Sequence, residues 1–176
     1  PVLRDLHDST TSFGTFTNLL LGGDATKNSS LRGLAEVLHV NDADPLLLIG
    51  LATCHALTML SATESRRLVG NEVEVKMFTA TKFELLEELG QPPVVRSPAG
   101  QTLRLHKRFE FDHGTMTMSV ILTDEQSGES FVFCKGAPER LCERCEQESV
   151  PPDYHTVQAA HATAGCYVLA IGVRRL

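Results

Sequence analysis

Tryptophan is absent from this chain of 176 residues, and aromatic residues make up only 6% of it. With so few rings available, each Phe or Tyr that reaches the surface is a candidate for a specific contact. An excess of positive charge is missing as well. Lys and Arg number 16 against 22 Asp and Glu, which gives a formal net charge of −6 and a pI near 5.6. That balance argues against an extended nucleic-acid or anionic-membrane surface, because such surfaces are built from clustered cations. No apolar run is long enough to span a bilayer; the most apolar, Pro45 to Leu60, is interrupted by Thr53, His55 and Thr58. A phosphate-cradling Gly-x-x-x-x-Gly-Lys loop is also lacking. The five cysteines, Cys54, Cys134, Cys142, Cys145 and Cys166, are odd in number and follow no signal peptide. They fit reduced cytosolic thiols better than a disulfide framework. The chain begins at Pro1 without Met and ends at Arg174-Arg175-Leu176, so it reads as one domain, residues 1–176, excised from something longer.

What is present suits an ordinary globular domain. Hydrophobic residues make up 42% and charged residues 22%, and the length allows a substantial core without disulfides or metals. Residues Pro1 to Ser30 carry the weakest signal; Phe13, Phe16 and Leu19 to Leu21 are compatible with a strand ending at Gly22-Gly23. Leu31 to Val40 fits a short helix or a strand equally well. Asp44-Pro45 predicts a helix start, with Asp44 as N-cap and Pro45 at the first helical position. Leu46, Ile49, Thr53, Ala56, Leu57 and Leu60 keep helical spacing, which extends that helix to Leu60. Ser61 to Gly70 reads as a polar connector, and Asn71 as the cap of a second helix with Glu72 and Glu74 in its first turn. Val75, Phe78, Leu85, Leu86 and Leu89 form the apolar stripe expected of that helix, with Gly90 and Pro92-Pro93 stopping it.

Beyond Pro93 the period changes from helical to alternating. Leu103, Leu105, Phe109 and Phe111 predict one strand, Met116 to Thr123 a second, and Ser130 to Cys134 a third, with a polar hairpin loop over Asp124 to Glu129. A helix after Pro138, another from about Asp153 to Thr163, and a strand from Cys166 to Val173 complete the chain. Strands in runs and helices in runs point to an α+β domain with an antiparallel sheet.

The most informative stretch is Lys135-Gly136-Ala137-Pro138-Glu139, which joins the buried strand Phe131 to Cys134 to the helix beginning at Pro138. Pro138 suits a first helical turn, where its missing N–H has no partner in any case. Glu139 complements the positive end of the helix dipole. Gly136 has no Cβ, so a flat ligand can approach the backbone, and Lys135 offers a cation at the strand end. An ordinary strand–turn–helix junction with a surface lysine is the plainer reading of the same residues.

This junction resembles the nucleotide-binding domain of P-type cation-transporting ATPases. Three further segments are similar to the same family and occur in family order. Leu51-Ala52-Thr53-Cys54-His55-Ala56-Leu57-Thr58 resembles a helix closing one side of that domain. Gly70-Asn71-Glu72-Val73-Glu74-Val75-Lys76-Met77-Phe78 resembles the Gly-Asp-Pro-x-Glu-x-Lys-Met-Phe signature. Arg108-Phe109-Glu110-Phe111, with Met118-Ser119-Val120, resembles the pair of strands carrying an adenine-stacking Phe. The first two of these three look most like the type V branch, whose members include polyamine exporters and endoplasmic-reticulum transmembrane-helix dislocases.

The resemblance implies a twisted antiparallel sheet flanked by two helical layers, and a pocket for ATP. It assigns ring stacking on adenine to Phe111, a cation near the purine and phosphates to Lys135, close ring approach to Gly136, and acceptance from the adenine amino group to Glu74. An acceptor at Glu74 would prefer adenine over guanine, whose equivalent group is a carbonyl. Met118, Ala137 and Tyr167 complete the implied ligand-binding set. Phe109 shares the parity of Phe111, so one of the two can be plain core, and Glu74 can equally be helix N-terminal charge placement. The parent protein implied is an integral membrane ATPase with this domain on the cytosolic face. There it would present ATP, with its Mg²⁺, to the phosphorylation and actuator domains of the same chain, and no nucleic acid is involved.

Several positions depart from the pattern. Asn71 and Glu72 replace Asp-Pro, Met116 stands where calcium-pump relatives place a Lys, and Tyr167 stands where many members place Arg. Losing both cations predicts weak binding centred on the adenosine end. The phosphorylated Asp-Lys-Thr-Gly-Thr of the family is absent, so the fragment alone is expected to bind nucleotide without turnover. Ser127-Gly128-Glu129-Ser130 looks like a catalytic Thr-Gly-Glu-Ser motif but falls in the predicted hairpin loop, which makes it a turn. Two rivals stand beside the ATP reading. Cys142 and Cys145 with His155 and His161 supply zinc-type ligands, at a spacing poorer than a zinc finger's. An interaction module of the same fold that has lost nucleotide binding is the other.

Overall fold

The computed structural model describes residues 15–20, 45–62 and 65–176. Asp44, the stretch Leu31 to Val40, and Phe13 and Leu21 to Gly23 lie outside them. In chain order the elements are β1 (Thr15–Leu20), α1 (Pro45–Thr53), β2 (Thr58–Ala62), β3 (Ser65–Val69), α2 (Glu72–Thr81), β4 (Glu84–Leu86), β5 (Val94–Arg96), β6 (Thr102–Asp112), β7 (Thr117–Asp124), β8 (Ser130–Gly136), α3 (Pro138–Cys142), α4 (Tyr154–Thr163) and β9 (Val168–Arg175). Seven strands form one sheet in the order β1-β9-β8-β7-β6-β5-β4, every pair antiparallel, while β2 and β3 pair apart as a second, two-stranded sheet. The α+β class with an antiparallel sheet is as the residue pattern predicts.

The central strands β7 and β8 are buried along almost their whole length, as expected of strands covered on both faces. Alternate residues therefore feed two cores. Val120, Leu122, Phe131, Phe133, Ile171 and Val173 join Leu51 of α1 and Met77 and Phe78 of α2 on one face. Ile121, Val132, Cys134 and Ala170 join Leu141 of α3 and Tyr154 of α4 on the other. Helix α1 is apolar all round and correspondingly buried from Ile49 to Thr53. Tyr154 fixes α4 to the start of α3 by donating its hydroxyl to the Pro138 carbonyl at 2.8 Å.

Four expectations about element boundaries need correction. Helix α1 ends at Thr53, and Leu60 belongs to strand β2 rather than to a helical stripe. Ser61 to Gly70 is not a connector, because Thr58–Ala62 and Ser65–Val69 pair as an antiparallel hairpin. Helix α2 stops at Thr81, where Lys82 adopts a left-handed conformation (φ 60°) and donates its N–H to the Thr79 carbonyl. Leu85 is consequently buried in strand β4 instead of on the helix, and Leu89 is fully exposed. A lysine carries no turn signal comparable to glycine; at this stop the Thr81 hydroxyl donates to the Phe78 carbonyl and accepts the Phe83 N–H. Strand β5 is the fourth addition, a three-residue strand too short to show a period.

Candidate functional site

One open cavity of about 550 Å³ is lined by Ala56, Asn71, Val73, Glu74, Phe111, Met118, Lys135, Gly136, Tyr167 and Leu169. Six of the seven residues singled out from sequence thus meet in one place: Glu74, Phe111, Met118, Lys135, Gly136 and Tyr167. Ala137, the seventh, is not part of the lining. It sits at the N-cap of α3 and donates its N–H to the Met116 carbonyl at 3.0 Å.

Helix α2 supplies one wall. Asn71 caps it as its sequence predicts, the side-chain oxygen accepting from the Val73 N–H at 2.9 Å. The cap fixes the first turn, and with it Val73 and Glu74. Strands supply the floor. Met118 of β7 and Lys135 of β8 are direct register partners, and Lys135 partners Ile171 of β9.

Phe111 owes its position to a bulge. In β6, Phe109 is opposite Ser119 but Asp112 is opposite Thr117, so three steps on one strand match two on the other. The extra residue reverses the alternation. Phe109 packs against the core on the α3 face, whereas Phe111, 44% exposed, enters the pocket on the α2 face. Equal parity in sequence therefore does not mean a shared face. The Phe111 ring meets His113 edge-on, 5.2 Å between centroids.

Lys135 is not a free cation. Its Nζ lies 2.6 Å from Glu74 Oε1, and the two side chains are only 5% and 12% exposed. The second Glu74 oxygen accepts the Ala56 N–H at 2.9 Å. A buried ion pair of this kind balances desolvation against Coulomb attraction, and it becomes costly only when one partner is lost. It also ties α2 to β8 and to the residue that follows His55.

His55 is buried beneath this wall, with its ring edge-to-face on Phe78 at 5.1 Å. Nδ1 accepts the Leu57 N–H at 3.1 Å, so the proton sits on Nε2, which donates to the Ala52 carbonyl at 2.9 Å. Burial pushes its pKa down to about 4, and the imidazole is neutral at pH 7. The neighbouring Cys54 thiol is pushed up to about 12, first by burial, and points at the Met118 and Phe133 carbonyls. Neither group is poised for proton transfer or nucleophilic attack.

Gly136 has a reason beyond ligand approach. A Cβ there would collide with the Met116 carbonyl oxygen and lie 2.8 Å from the Thr117 methyl. Met116 itself takes a left-handed φ of 54°, so the β7–β8 end is tightly constrained.

Sequence reasoning missed Ala56, Asn71, Val73 and Leu169 as pocket residues. Leu169 was within reach, being two residues from Tyr167 and hence on the same face of the strand predicted over Cys166 to Val173. Val73 and Asn71 flank Glu74 on the same turn. Ala56 has no sequence signal, since only its backbone N–H reaches Glu74.

The rival metal site is not assembled. Cys142 Sγ and His155 Nε2 are 4.0 Å apart, and among the described residues no group of three or more His, Cys, Asp or Glu is arranged to hold a metal. Burial raises the pKa of the Cys134, Cys142 and Cys145 thiols, the last to about 12. Ser127-Gly128-Glu129 lies in the loop between β7 and β8, with Gly128 at φ 74° donating its N–H to the Asp124 carbonyl, and Ser130 opens β8. No helix among the described residues is long and apolar enough to cross a membrane.

Fold and pocket together define an α+β domain with a ring-bearing, largely apolar cleft floored by a sheet. A family model described as "P-type ATPase, cytoplasmic domain N" matches residues 47–153, and the chain belongs to that family. It is 30% identical over 145 residues to "Probable cation-transporting ATPase 13A4" of Mus musculus, and 31% identical over 150 residues to "Polyamine-transporting ATPase 13A2" of the same organism. Each match covers 74% of this chain and 12% of the relative. "Cation-transporting ATPase catp-5" of Caenorhabditis elegans is 25% identical over 156 residues, covering 76% and 13%. These relatives are type V P-type ATPases, the branch that the residue motifs resemble. The chain therefore spans only about an eighth of the length of the curated relatives it matches.

Proposed function

We propose that this chain is the nucleotide-binding domain, over residues 1–176, of a larger P-type transport ATPase, and that it binds ATP through the adenine. The observation that carries the reading is the convergence of Glu74, Phe111, Met118, Lys135, Gly136 and Tyr167 on one cavity, although they come from five separate segments. Phe111 offers a half-exposed ring on which a base can stack, a contact of about 1–3 kcal/mol in comparable cases. Glu74 retains unused lone pairs on both oxygens and can accept from an exocyclic amino group. The packing of α1 and α2 into one core of the sheet and of α3 and α4 into the other supports a reading with two helical layers.

In the parent protein the domain carries ATP with its Mg²⁺ to an aspartate in the phosphorylation domain, on the cytosolic face of a membrane. Hinge closure then aligns the γ-phosphoryl group, so this domain contributes positioning rather than a reacting side chain. The chain alone binds nucleotide and hydrolyses essentially none. An amide-NMR titration with ATP, adenosine and GTP tests the reading. The expected result is adenine-selective shifts at Glu74, Phe111 and Lys135–Gly136 that vanish in Phe111→Ala. Absence of shifts at millimolar nucleotide would sink it and leave the interaction-module alternative.

A further inference from the structure

We propose that the domain carries a second binding site, a groove between the free edge of β3 and α2 that takes up an extended, carboxylate-bearing segment of a partner protein as an added strand. The groove is open and holds about 600 Å³; residues 67–70 form one wall, and Glu72, Val75 and Lys76 the other. It shares no residue with the cavity of Glu74, Phe111 and Lys135. The first wall is an unbroken run of backbone, and no residue of β2 lines the groove, so it follows the edge of β3 that faces away from β2. In an antiparallel pair, every second residue turns its N–H and C=O away from the partner strand. Among the described residues β3 pairs only with β2, which leaves that outward row without a strand to meet. Such an edge is a template for a further strand, and main-chain pairing there recognises an extended peptide.

The helical wall supplies side chains for such a peptide to meet. Glu72, Val75 and Lys76 are three and four residues apart and so lie on one face of α2. Val69, which is exposed, and the half-buried Val75 offer aliphatic contact. Charge then selects the partner. Arg67 and Lys76 stand against a single carboxylate, Glu72, so the groove is locally positive on a chain whose net charge is −6. Glu72 and Lys76 are 3.7 Å apart and the Glu72 side chain is 91% exposed. An exposed pair at that spacing contributes too little to keep the ammonium from an incoming carboxylate. The same cations disfavour a second copy of this chain as the added strand, because pairing β3 with β3 would bring Arg67 and Lys76 of both chains together.

The test is an amide-NMR titration of the 176-residue chain, without nucleotide, using a blocked hexapeptide of alternating valine and glutamate. Shifts are expected at residues 67–70 and at Glu72, Val75 and Lys76, with Phe111 and Gly136 unmoved. Lysine in place of glutamate in the peptide, or the double variant Arg67→Glu, Lys76→Glu in the chain, should weaken binding by about tenfold or more. Full N-methylation of the peptide should weaken it by about as much, because the main-chain donors are gone. Neither substituted side chain is buried, so the double variant folds, which a spectrum unchanged outside the groove would verify. No shifts at millimolar peptide, or shifts confined to the cavity of Phe111, would overturn the proposal. Equal affinity for the N-methylated peptide would overturn strand addition, and equal affinity for the lysine peptide would overturn the acidic partner. Shifts at residues 67–70 that grow with protein concentration in the absence of peptide would assign the edge to a second copy and overturn the proposal as well. Each of these outcomes leaves the nucleotide reading untouched, because the two sites have no residue in common.

Discussion

The two faces of the sheet are made from the same strands yet differ in kind. On one, Lys135 and Glu74 pair at the border of an open cavity, and His55 is buried beneath them. On the other, Cys134, Cys142, Cys145 and Tyr154 pack with Ile121, Val132 and Leu141 into an apolar core. Successive residues of β8 show the contrast directly, Cys134 facing one way and Lys135 the other. A face that only has to pack can be closed with thiols and branched chains. The face that borders the cavity keeps polar groups near it, and each needs a partner to be tolerated.

Removing one member of the buried pair should give the largest effect separating the faces. Lys135→Met leaves Glu74 without its cation and is expected to lower stability by about 3 kcal/mol or more in urea unfolding. The double variant Lys135→Met, Glu74→Leu should recover much of that loss. A double variant as unstable as the single one would show that the pair is not what matters.

Acid should reveal the same face next. The folded-state pKa of His55, about 4, lies below the ordinary value of 6.5, so the unfolded chain takes up the proton first. Its contribution is present above pH 6.5 and is lost as the pH falls towards 4, a change of roughly 3 kcal/mol. Melting temperatures between pH 7 and 4 should fall less steeply in His55→Gln than in the wild type. Parallel slopes would mean that other groups govern acid sensitivity.

Phe111 and Phe109 sharpen the comparison further, because one bulge sends them to opposite faces. Phe111→Ala should cost about 1–3 kcal/mol of nucleotide binding and little stability. Phe109→Ala should cost about 1–2 kcal/mol of stability, for a partly buried ring, and spare binding. Exchange of these two outcomes would reverse the assignment of faces. The smallest effect belongs to the thiol core. Cys145→Ala is expected to cost about 1 kcal/mol and leave nucleotide binding unchanged. In the native chain, Cys166, only partly covered, should react with a thiol reagent before Cys134, Cys142 and Cys145.

Much of this arrangement is legible along the chain, and the parts that are not share a cause. The Asn71 cap, the hairpin at Asp124 to Glu129 and the strand–helix junction at Pro138 depend on neighbours a few residues apart, so local chemistry writes them. The β2–β3 hairpin is hidden because Ser61 to Gly70 is polar, and among the described residues its strands pair only with each other. The end of α2 at Lys82 is hidden because the left-handed residue there is a lysine and not a glycine or asparagine, the residues that signal such a stop.

The sequence by itself determined the class of fold, the family and six of the pocket's residues, since spacing, caps and motifs are properties of order along the chain. Tertiary structure decided the rest. It placed Phe109 and Phe111 on opposite faces through a one-residue bulge. It closed Lys135 onto Glu74, 61 positions away, so that the cation offered by the motif is already neutralised. Register shifts and long-range ion pairing depend on which strands become neighbours. No local window of residues contains that information.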